Sequence, residues 1–153
     1  MTTQEISVSR TVAAAPDRVW QIVSDLGAMG RRSPQCRSMT VLGSRTGPGT
    51  VTVNVNRRGP LVWVTWAVVT RWRRDEVVEF RIPLNGSRWR FELAPAGEGT
   101  LVTERRLVEG RTTPLSRVAV ALALGGEASF ERELRAGMEA TLDAVAREAE
   151  AAP

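Results

Sequence analysis

The sequence predicts an α+β fold in which an antiparallel sheet of about seven strands is followed by a long C-terminal helix. Three observations predict it: an alternating segment and a short helical segment near the start, six closely spaced strand segments, and an amphipathic segment after Gly126. Strands separated only by short turns leave no room for helical crossovers, so neighbours must run antiparallel. At 153 residues, we expect one domain that spans residues 1–153.

The first segment combines one strand with one helix. Residues 5–14 alternate, with Ile6, Val8 and Val12 on one side, which predicts a half-buried strand. Pro16 occupies a first helical position, where its missing N–H costs nothing. Apolar residues then recur at helical spacing as far as Leu26, and the glycine-containing connection at residues 27–34 allows a second helical turn.

Six strand segments follow, each rich in β-branched or aromatic residues. Gly, Pro, Asn or Asp residues separate them, and these are the residues that turns favour. The predicted strands are Ser38–Leu42, Thr50–Asn56, Leu61–Trp72, Val77–Ile82, Ser87–Leu93 and Leu101–Val108.

Two helical segments are predicted after the last strand. Thr113–Pro114 supplies a start and Gly125–Gly126 a stop for the first segment. Its apolar run, Val118–Leu124, is predicted to pack as a helix face, although it could instead cap a pocket or contact a second copy in a homodimer. The second segment is a long helix, and Glu131/Arg135 and Asp143/Arg147 are predicted i,i+4 ion pairs on its solvent-exposed side. Its apolar stripe consists of Phe130, Leu134, Met138, Leu142 and Val145.

Three residue types are missing from the chain. It contains no His, no Tyr and no Lys, so all 21 basic residues are Arg. This excludes His-based catalytic triads, a lysine that carries pyridoxal phosphate and His-ligated zinc sites, and we expect no metal and no cofactor. The remaining proton-transfer groups are Asp, Glu and Cys36. Because no His can lower its pKa, Cys36 is predicted to be an inert, partly buried thiol.

Charge and hydropathy predict a cytoplasmic protein without a membrane span. A single cysteine fits a reducing compartment, the first residues lack the pattern of a signal peptide, and no apolar stretch approaches the ~20 residues that a span needs. The net charge of +4 is modest. Basic runs at residues 57–58 and 70–74 fall at opposite ends of the predicted meander, so we expect no nucleic acid partner.

Five local phrases accompany this order of elements: AAAPDRVWQIVSDLG, SPQC, GPGTVTVNVNRRGPLVW, WRFELAPAGEGTLVTE and GMEATLDAVAREAE. In this order and spacing they resemble the START/Bet v 1-like superfamily, and within it the bacterial polyketide cyclase/dehydrase-type (SRPBCC) proteins, from about residue 5 to residue 150. The resemblance implies a helix-grip fold, in which a curved sheet wraps around the C-terminal helix and leaves an apolar cavity. It also implies a hydrophobic small molecule as partner.

Side-chain alternation selects the residues that should face this cavity, since successive side chains of a strand point to opposite faces. On the longest strand, we place Trp66, Val68 and Thr70 inward, on the same face as Trp72. The helix stripe and the segment before SPQC contribute further candidates. The predicted lining is Met29, Asn54, Asn56, Trp66, Val68, Thr70, Phe80, Trp89, Phe91, Val102, Glu104, Arg106, Phe130, Leu134 and Met138.

Two of these places carry polar groups. Glu104 and Arg106 share the face that matching the family's TxVTE phrase turns inward, where they could pair as one polar anchor; a solvated pair at the rim of the sheet is the alternative. For residues 50–56, hydrophobicity turns the valines inward, whereas the family's glycine and Asn-Arg turn the Thr/Asn face inward. We favour the second orientation, which places Asn54 and Asn56 at the cavity mouth.

The chain departs from its catalytic relatives at several positions. Aromatase/cyclases of the family use a pocket Arg with Tyr or His as acid or base; here the position of that Arg is Thr70, and Met29 and Arg32 stand where relatives often carry tryptophans. The leading hypothesis is therefore a binder of an aromatic or polyketide-like molecule. The alternatives are a cyclase/dehydrase with Glu104 as base and Arg106 as oxyanion partner, and a protein–protein interaction module.

Overall fold

A computed structural model describes residues 4–108 and 127–151. Its order of elements confirms the predicted α+β architecture of short helices after the first strand, a seven-stranded sheet and a long C-terminal helix. The strands are β1 (Gln4–Val12), β2 (Cys36–Leu42), β3 (Val51–Arg58), β4 (Leu61–Arg73), β5 (Val77–Ile82), β6 (Ser87–Ala96) and β7 (Gly99–Val108). The helices are α1 (Pro16–Val23), a 3-10 turn (Leu26–Ala28), α2 (Met29–Arg32) and α3 (Glu127–Glu150).

The sheet is an antiparallel meander with one exception in its order. Strands β2 to β7 are neighbours in sequence order, and β1 pairs with β7 to complete the order β1-β7-β6-β5-β4-β3-β2. The predicted helix from Thr113 to Gly125 and the run Val118–Leu124 lie outside the described residues. Of the predicted elements that are described, only ends differ: β3 and β6 extend two or three residues further, and the first helix ends at Val23.

The helix α3 packs its predicted stripe against the concave face of the sheet. Leu134, Met138, Leu142 and Val145 are buried and Phe130 is half-buried. On the solvent-exposed side, Glu131 and Arg135 form the predicted pair. The second predicted pair is wrong, because Asp143 bonds instead to Arg10 of β1.

A buried arginine fixes the far end of α3. The guanidinium of Arg32 donates to Glu148 at 2.9 and 3.0 Å and to the backbone carbonyls of Ile22 and Asp25 at 2.8 and 3.2 Å. Beside it in the core, Met29 is 5% exposed. Arg32 and Met29 therefore serve packing and helix attachment, and the predicted place of Met29 in a cavity lining is not what the structure shows.

A β-bulge in β4 reverses the predicted facing of its first half. The pairing of β4 with β5 shifts register between Val69 and Arg71, so that Thr70 is the extra residue. An extra residue moves every side chain before it to the opposite face. Trp72 accordingly faces inward and meets Trp20 edge-to-face at 5.2 Å. Trp66, Val68 and Thr70 lie on the convex face, which corrects their predicted inward placement; Thr65, Ala67 and Val69 are buried instead.

Candidate ligand cavity on the concave face

The concave face carries a small cavity beside the start of α3. Its volume is about 90 Å³, and it lies at the end of the sheet where the β3–β4 and β5–β6 turns meet. We call this the cavity end. The lining residues in the described part of the chain are Gln35, Asn56, Arg58, Trp63, Thr65, Ile82, Asn85, Trp89, Arg106, Phe130 and Leu134.

Five of the predicted lining residues meet around this space: Asn56, Trp89, Arg106, Phe130 and Leu134. Others share the concave face but are packed into the core deeper along the sheet, and they do not line the cavity. These are Asn54, Phe80, Phe91, Val102, Glu104 and Met138. The aromatic residues of β5 and β6 face inward, as predicted, but most of them pack in the core and do not line the cavity.

Arg106 is the principal charge in the cavity. Its guanidinium carbon lies 5.8 Å from the ring centroid of Trp89 and 5.6 Å from that of Phe130, within cation–π range. Burial lowers the pKa of Arg106 to about 10, so the group stays cationic at neutral pH. Within residues 4–108 and 127–151, no carboxylate forms an ion pair with it. Glu104 and Arg106 therefore form neither a pair at the cavity nor a pair at the rim of the sheet in the described residues.

A chain of side-chain hydrogen bonds runs from the polar wall of the cavity into the core. Asn56 Nδ2 donates to Thr65 Oγ1 at 2.9 Å, and Asn54 Nδ2 approaches the same oxygen at 3.5 Å. Thr52 in turn donates to Asn54 Oδ1 at 2.9 Å. The Thr/Asn face of β3 thus faces inward, as the family resemblance implied, because these groups satisfy one another and need no water.

Glu104 lies one pleat deeper than Arg106 on the same face of β7. It is 3% exposed and stands between Val8 and Phe91 in the register, and among the described residues its Oε2 has no hydrogen-bond partner. Burial raises the pKa of Glu104 well above its ordinary value. Burial thus favours the protonated, neutral carboxyl group, which suits Glu104 to donating a proton rather than to the role of base that the sequence suggested.

On the opposite, convex face of the sheet, a buried glutamate is surrounded by hydrogen-bond donors. Glu79 of β5 is fully buried on the convex face. Its carboxylate accepts from Arg90 Nε at 2.6 Å and from Thr70 Oγ1 at 2.8 Å, with Arg88 Nη1 at 3.5 Å and Arg71 Nε at 3.8 Å. Burial by itself would raise the pKa of Glu79, but hydrogen bonds from Arg90 and Thr70 and the charges of Arg90 and Arg71 together lower it.

Several cavity residues escaped the sequence analysis. Trp63 and Thr65 belong to the face of β4 that was assigned outward, and only recognition of the bulge would have found them. Ile82 and Asn85 lie at the β5–β6 turn, and Arg58 ends β3. Turn residues carry no alternation signal, so their approach to one another depends on tertiary structure.

Other places in the described residues are less suited to binding an apolar ligand or to catalysis. A depression of about 410 Å³ between β1 and α3 is larger than the cavity, but ionic side chains such as Arg10, Arg135 and Asp143 line it, and Arg10 and Asp143 bond across it. Burial raises the pKa of the half-buried Cys36 to about 11, consistent with an inert thiol. In the described ranges, no group of three His, Cys, Asp or Glu residues could hold a metal ion.

Comparisons with known proteins agree with this architecture. A family model described as polyketide cyclase/dehydrase and lipid transport matches residues 3–150. A search of curated proteins finds no match.

Solved structures with a similar fold share little sequence with this chain. TTHA0849 from Thermus thermophilus is 18% identical, with a TM-score of 0.72 over 95% of this chain and 97% of that one. The Zhui aromatase/cyclase from Streptomyces sp. R1128 is also 18% identical, with a TM-score of 0.72 over 97% and 94%. The di-domain aromatase/cyclase StfQ is 14% identical, with a TM-score of 0.75 over 97% of this chain and 51% of its own.

Proposed function

The chain belongs to the polyketide cyclase/dehydrase and lipid transport family, and from this membership we propose that it binds a hydrophobic, aromatic or polyketide-like small molecule. The ligand enters the cavity between the sheet and α3 and turns an anionic or carbonyl oxygen toward Arg106. The observation that carries the proposal is a half-buried guanidinium beside two aromatic rings that forms no ion pair with a carboxylate of the described residues.

Electrostatics supports an oxygen-bearing ligand. A cation that is partly removed from water without a counter-ion is costly, and a charge-assisted hydrogen bond to a ligand oxygen offsets part of that cost. The rings of Trp89 and Phe130 restrict the orientation of the Arg106 guanidinium, so less conformational entropy is lost when it binds a ligand oxygen. Asn56 and Asn85 supply amide groups at the same cavity, where they can receive further oxygens of the ligand.

The size of the cavity restricts what can be enclosed. About 90 Å³ is below the ~300–1,000 Å³ of ordinary ligand pockets and below the ~150 Å³ engineered cavity that accepts benzene. We therefore expect one aromatic ring at most to enter beside Arg106 while the remainder of the ligand lies at the mouth, against Trp63. The cavity is smaller and more polar than the sequence analysis led us to expect.

Two dyes with related ring systems test the role of Arg106. The anionic probe 1-anilinonaphthalene-8-sulfonate and the neutral probe N-phenyl-1-naphthylamine are titrated against the protein by fluorescence. Because a charge-assisted hydrogen bond contributes about 1.5–3 kcal/mol, Arg106→Met should weaken binding of the sulfonate roughly 10- to 100-fold and affect the neutral dye little.

The matched control is Arg132→Met, which removes one exposed arginine from α3 outside the cavity. It should bind both dyes like the wild-type protein. Equal affinity of Arg106→Met and wild type for the sulfonate would disprove the anchoring role, and failure of the wild type to bind either dye would disprove the binding function.

A second candidate function is a cyclase or dehydratase, favoured by the buried Glu104 with its raised pKa, which a substrate would reach beyond the cavity lining. From a β-hydroxy ketone, the neutral carboxyl group can donate its proton to the departing hydroxyl, which leaves as water; a double bond forms between Cα and Cβ, and the Cα proton passes to the new carboxylate, so that Glu104 is regenerated. The test is mass-spectrometric detection of water loss from a synthetic poly-β-ketone. Glu104→Gln should abolish the reaction and keep dye affinity within about twofold, whereas unchanged turnover in this variant would remove Glu104 from the mechanism.

A further inference from the structure

Exposed apolar side chains are concentrated at the cavity end. Of the large hydrophobic residues that the described ranges leave exposed, five consecutive or near-consecutive ones belong to the first half of β4 and one to the β5–β6 turn. Their exposed fractions run from 41% to 71%. We call them the apolar rim: Leu61, Val62, Trp63, Val64, Trp66 and Leu84.

The rim borders the cavity on one side, and its remaining residues continue onto the convex side of the same hairpin. Trp63 is 41% exposed and also lines the cavity, and Leu84 is next to Asn85, another lining residue. The tip of the β3–β4 hairpin is a tight turn with Gly59 at a φ of 55°. Its strands pair from Arg58↔Leu61 onward, so the rim projects from a backbone whose hydrogen bonds are made within the hairpin.

The strands that carry the rim are basic, although Arg58 forms an ion pair with Glu133 of α3 and Arg71 with Glu79 of β5. From Leu26 to Arg74, the chain has no Asp or Glu but nine arginines, and this segment includes all of β2, β3 and β4. Arg57 stands opposite Val62 in the register and is exposed. Strands that expose valine, leucine and tryptophan side chains are thus accompanied by cations without an acidic residue on the same strands.

We propose that the apolar rim docks on the surface of an anionic phospholipid bilayer. Tryptophan favours the boundary between headgroups and acyl chains, and basic residues nearby are attracted to anionic headgroups. Shallow apolar insertion combined with this attraction is sufficient for reversible binding. No described helix is long and apolar enough to cross a membrane, and the proposal needs none.

Charge complementarity distinguishes this partner from a second copy of the chain. Two copies that met through their rims would bring the exposed Arg57 of each hairpin together, and like charges in contact oppose association. An anionic bilayer has the opposite charge and a soft apolar layer beneath it. Docking would place the cavity mouth, with Trp63, directly against the lipid.

Vesicle co-sedimentation tests the proposal without reference to any cavity ligand. The wild-type protein is mixed with vesicles of phosphatidylcholine alone and of phosphatidylcholine with 30% phosphatidylglycerol. We expect binding to the second composition only, with a shift of tryptophan emission to shorter wavelength. The double variant Val62→Ser/Val64→Ser removes apolar area from the convex side of the hairpin and should lower the lipid partition constant about tenfold.

A matched variant, Leu42→Ser/Leu101→Ser, removes two exposed leucines remote from the cavity end and should partition like the wild type. Circular dichroism melts establish that both variants are folded. Absence of binding to phosphatidylglycerol vesicles by the wild type, or equal losses in the two variants, would overturn the proposal. Soluble poly-glutamate is the third probe: if it is bound as tightly as vesicles, with no effect of Val62→Ser/Val64→Ser, the surface serves an acidic protein and the membrane proposal fails.

Discussion

Two buried glutamates on opposite faces of one sheet have pKa values shifted in opposite directions. Glu79 on the convex face and Glu104 on the concave face are 0% and 3% exposed, so desolvation acts on both. Arginines and a threonine surround the first carboxylate and keep its pKa low. The second has an Oε2 without a partner among the described residues, and its pKa is raised. Burial by itself therefore does not decide ionisation; the neighbouring donors do.

The arginines show the same contrast. Arg90 on the convex face reaches both Glu79 and Glu92, whereas Arg106 on the concave face contacts the rings of Trp89 and Phe130 and has no ion pair in the described part of the chain. On the convex face, the buried carboxylate of Glu79 has its counter-charges within the protein. On the concave face, an acid with a raised pKa and a cation without an ion pair in the described residues lie two residues apart along β7, which is the arrangement expected where a ligand completes the site.

The largest expected effect comes from breaking the convex-face cluster. Glu79→Gln removes a buried carboxylate from its arginines and should lower the free energy of unfolding by about 3 kcal/mol at pH 7, measured by urea denaturation. Because the folded pKa of Glu79 is lowered, the wild-type carboxylate contributes stability above its unfolded pKa of about 4.3. The deficit of the variant should shrink as pH falls through the folded pKa.

The control is Glu98→Gln, in which the exposed Glu98 of the β6–β7 turn is replaced; it should change stability by less than about 0.5 kcal/mol. A deficit for Glu79→Gln that is independent of pH would show that loss of packing, and not loss of the ion cluster, is responsible.

Glu104→Gln should raise the free energy of unfolding relative to wild type, and by less than Glu79→Gln lowers it. The folded pKa of Glu104 is raised, so the unfolded chain loses its proton first as pH rises above about 4.3. The wild type is then destabilised by about 1.4 kcal/mol for each pH unit until the folded pKa is reached. The variant lacks this penalty, so its stability relative to wild type should increase between pH 4 and that point.

Thermal or urea unfolding at several pH values measures this difference, with Glu76→Gln as the exposed control. Parallel stability curves for Glu104→Gln and wild type would mean that Glu104 is ionised in the folded protein.

The smallest effect is expected at Arg106. Arg106→Met loses two cation–π contacts, each about 0.5–1 kcal/mol, but it also removes a half-buried charge without an ion pair in the described residues, so the free energy of unfolding should stay within about 1 kcal/mol of wild type. Arg90→Met removes charge-assisted hydrogen bonds and should cost more, about 2 kcal/mol. Similar losses in the two variants would show that Arg106 has a structural partner and is not reserved for a ligand.

Much of the fold could be predicted because its signals are local. Turn residues such as Gly59–Pro60 and Asn85–Gly86 mark the ends of strands, and the stripe from Phe130 to Val145 marks the buried side of α3. The inward face of β3 could not be predicted from local signals, since hydrophobicity favoured its valines and the family resemblance favoured its Thr/Asn residues. The family resemblance selected the right face, and the mutual bonding of Asn54, Asn56 and Thr65 explains how that face can be buried.

The facing of β4 could not be predicted from alternation. Both of its faces are apolar, with Trp63 on one and Trp66 on the other, so hydrophobicity does not choose between them. The bulge at Thr70 then changes the phase within the strand. The charge state of Glu104 also depends on distant residues, because the same Glu-x-Arg spacing could have given an ion pair.

The extra residue at Thr70 also bears on how this strand can change over evolution. It divides β4 into two halves: before Thr70 the odd-numbered side chains face the concave side, and after it the even-numbered Trp72 does. The Thr70 hydroxyl donates a hydrogen bond to Glu79. Loss of that one residue would exchange the indoles of Trp63 and Trp66 between the ligand side and the outer side in a single step. A one-codon deletion could thus redesign the binding wall and the exposed surface of the molecule together, without any amino-acid substitution.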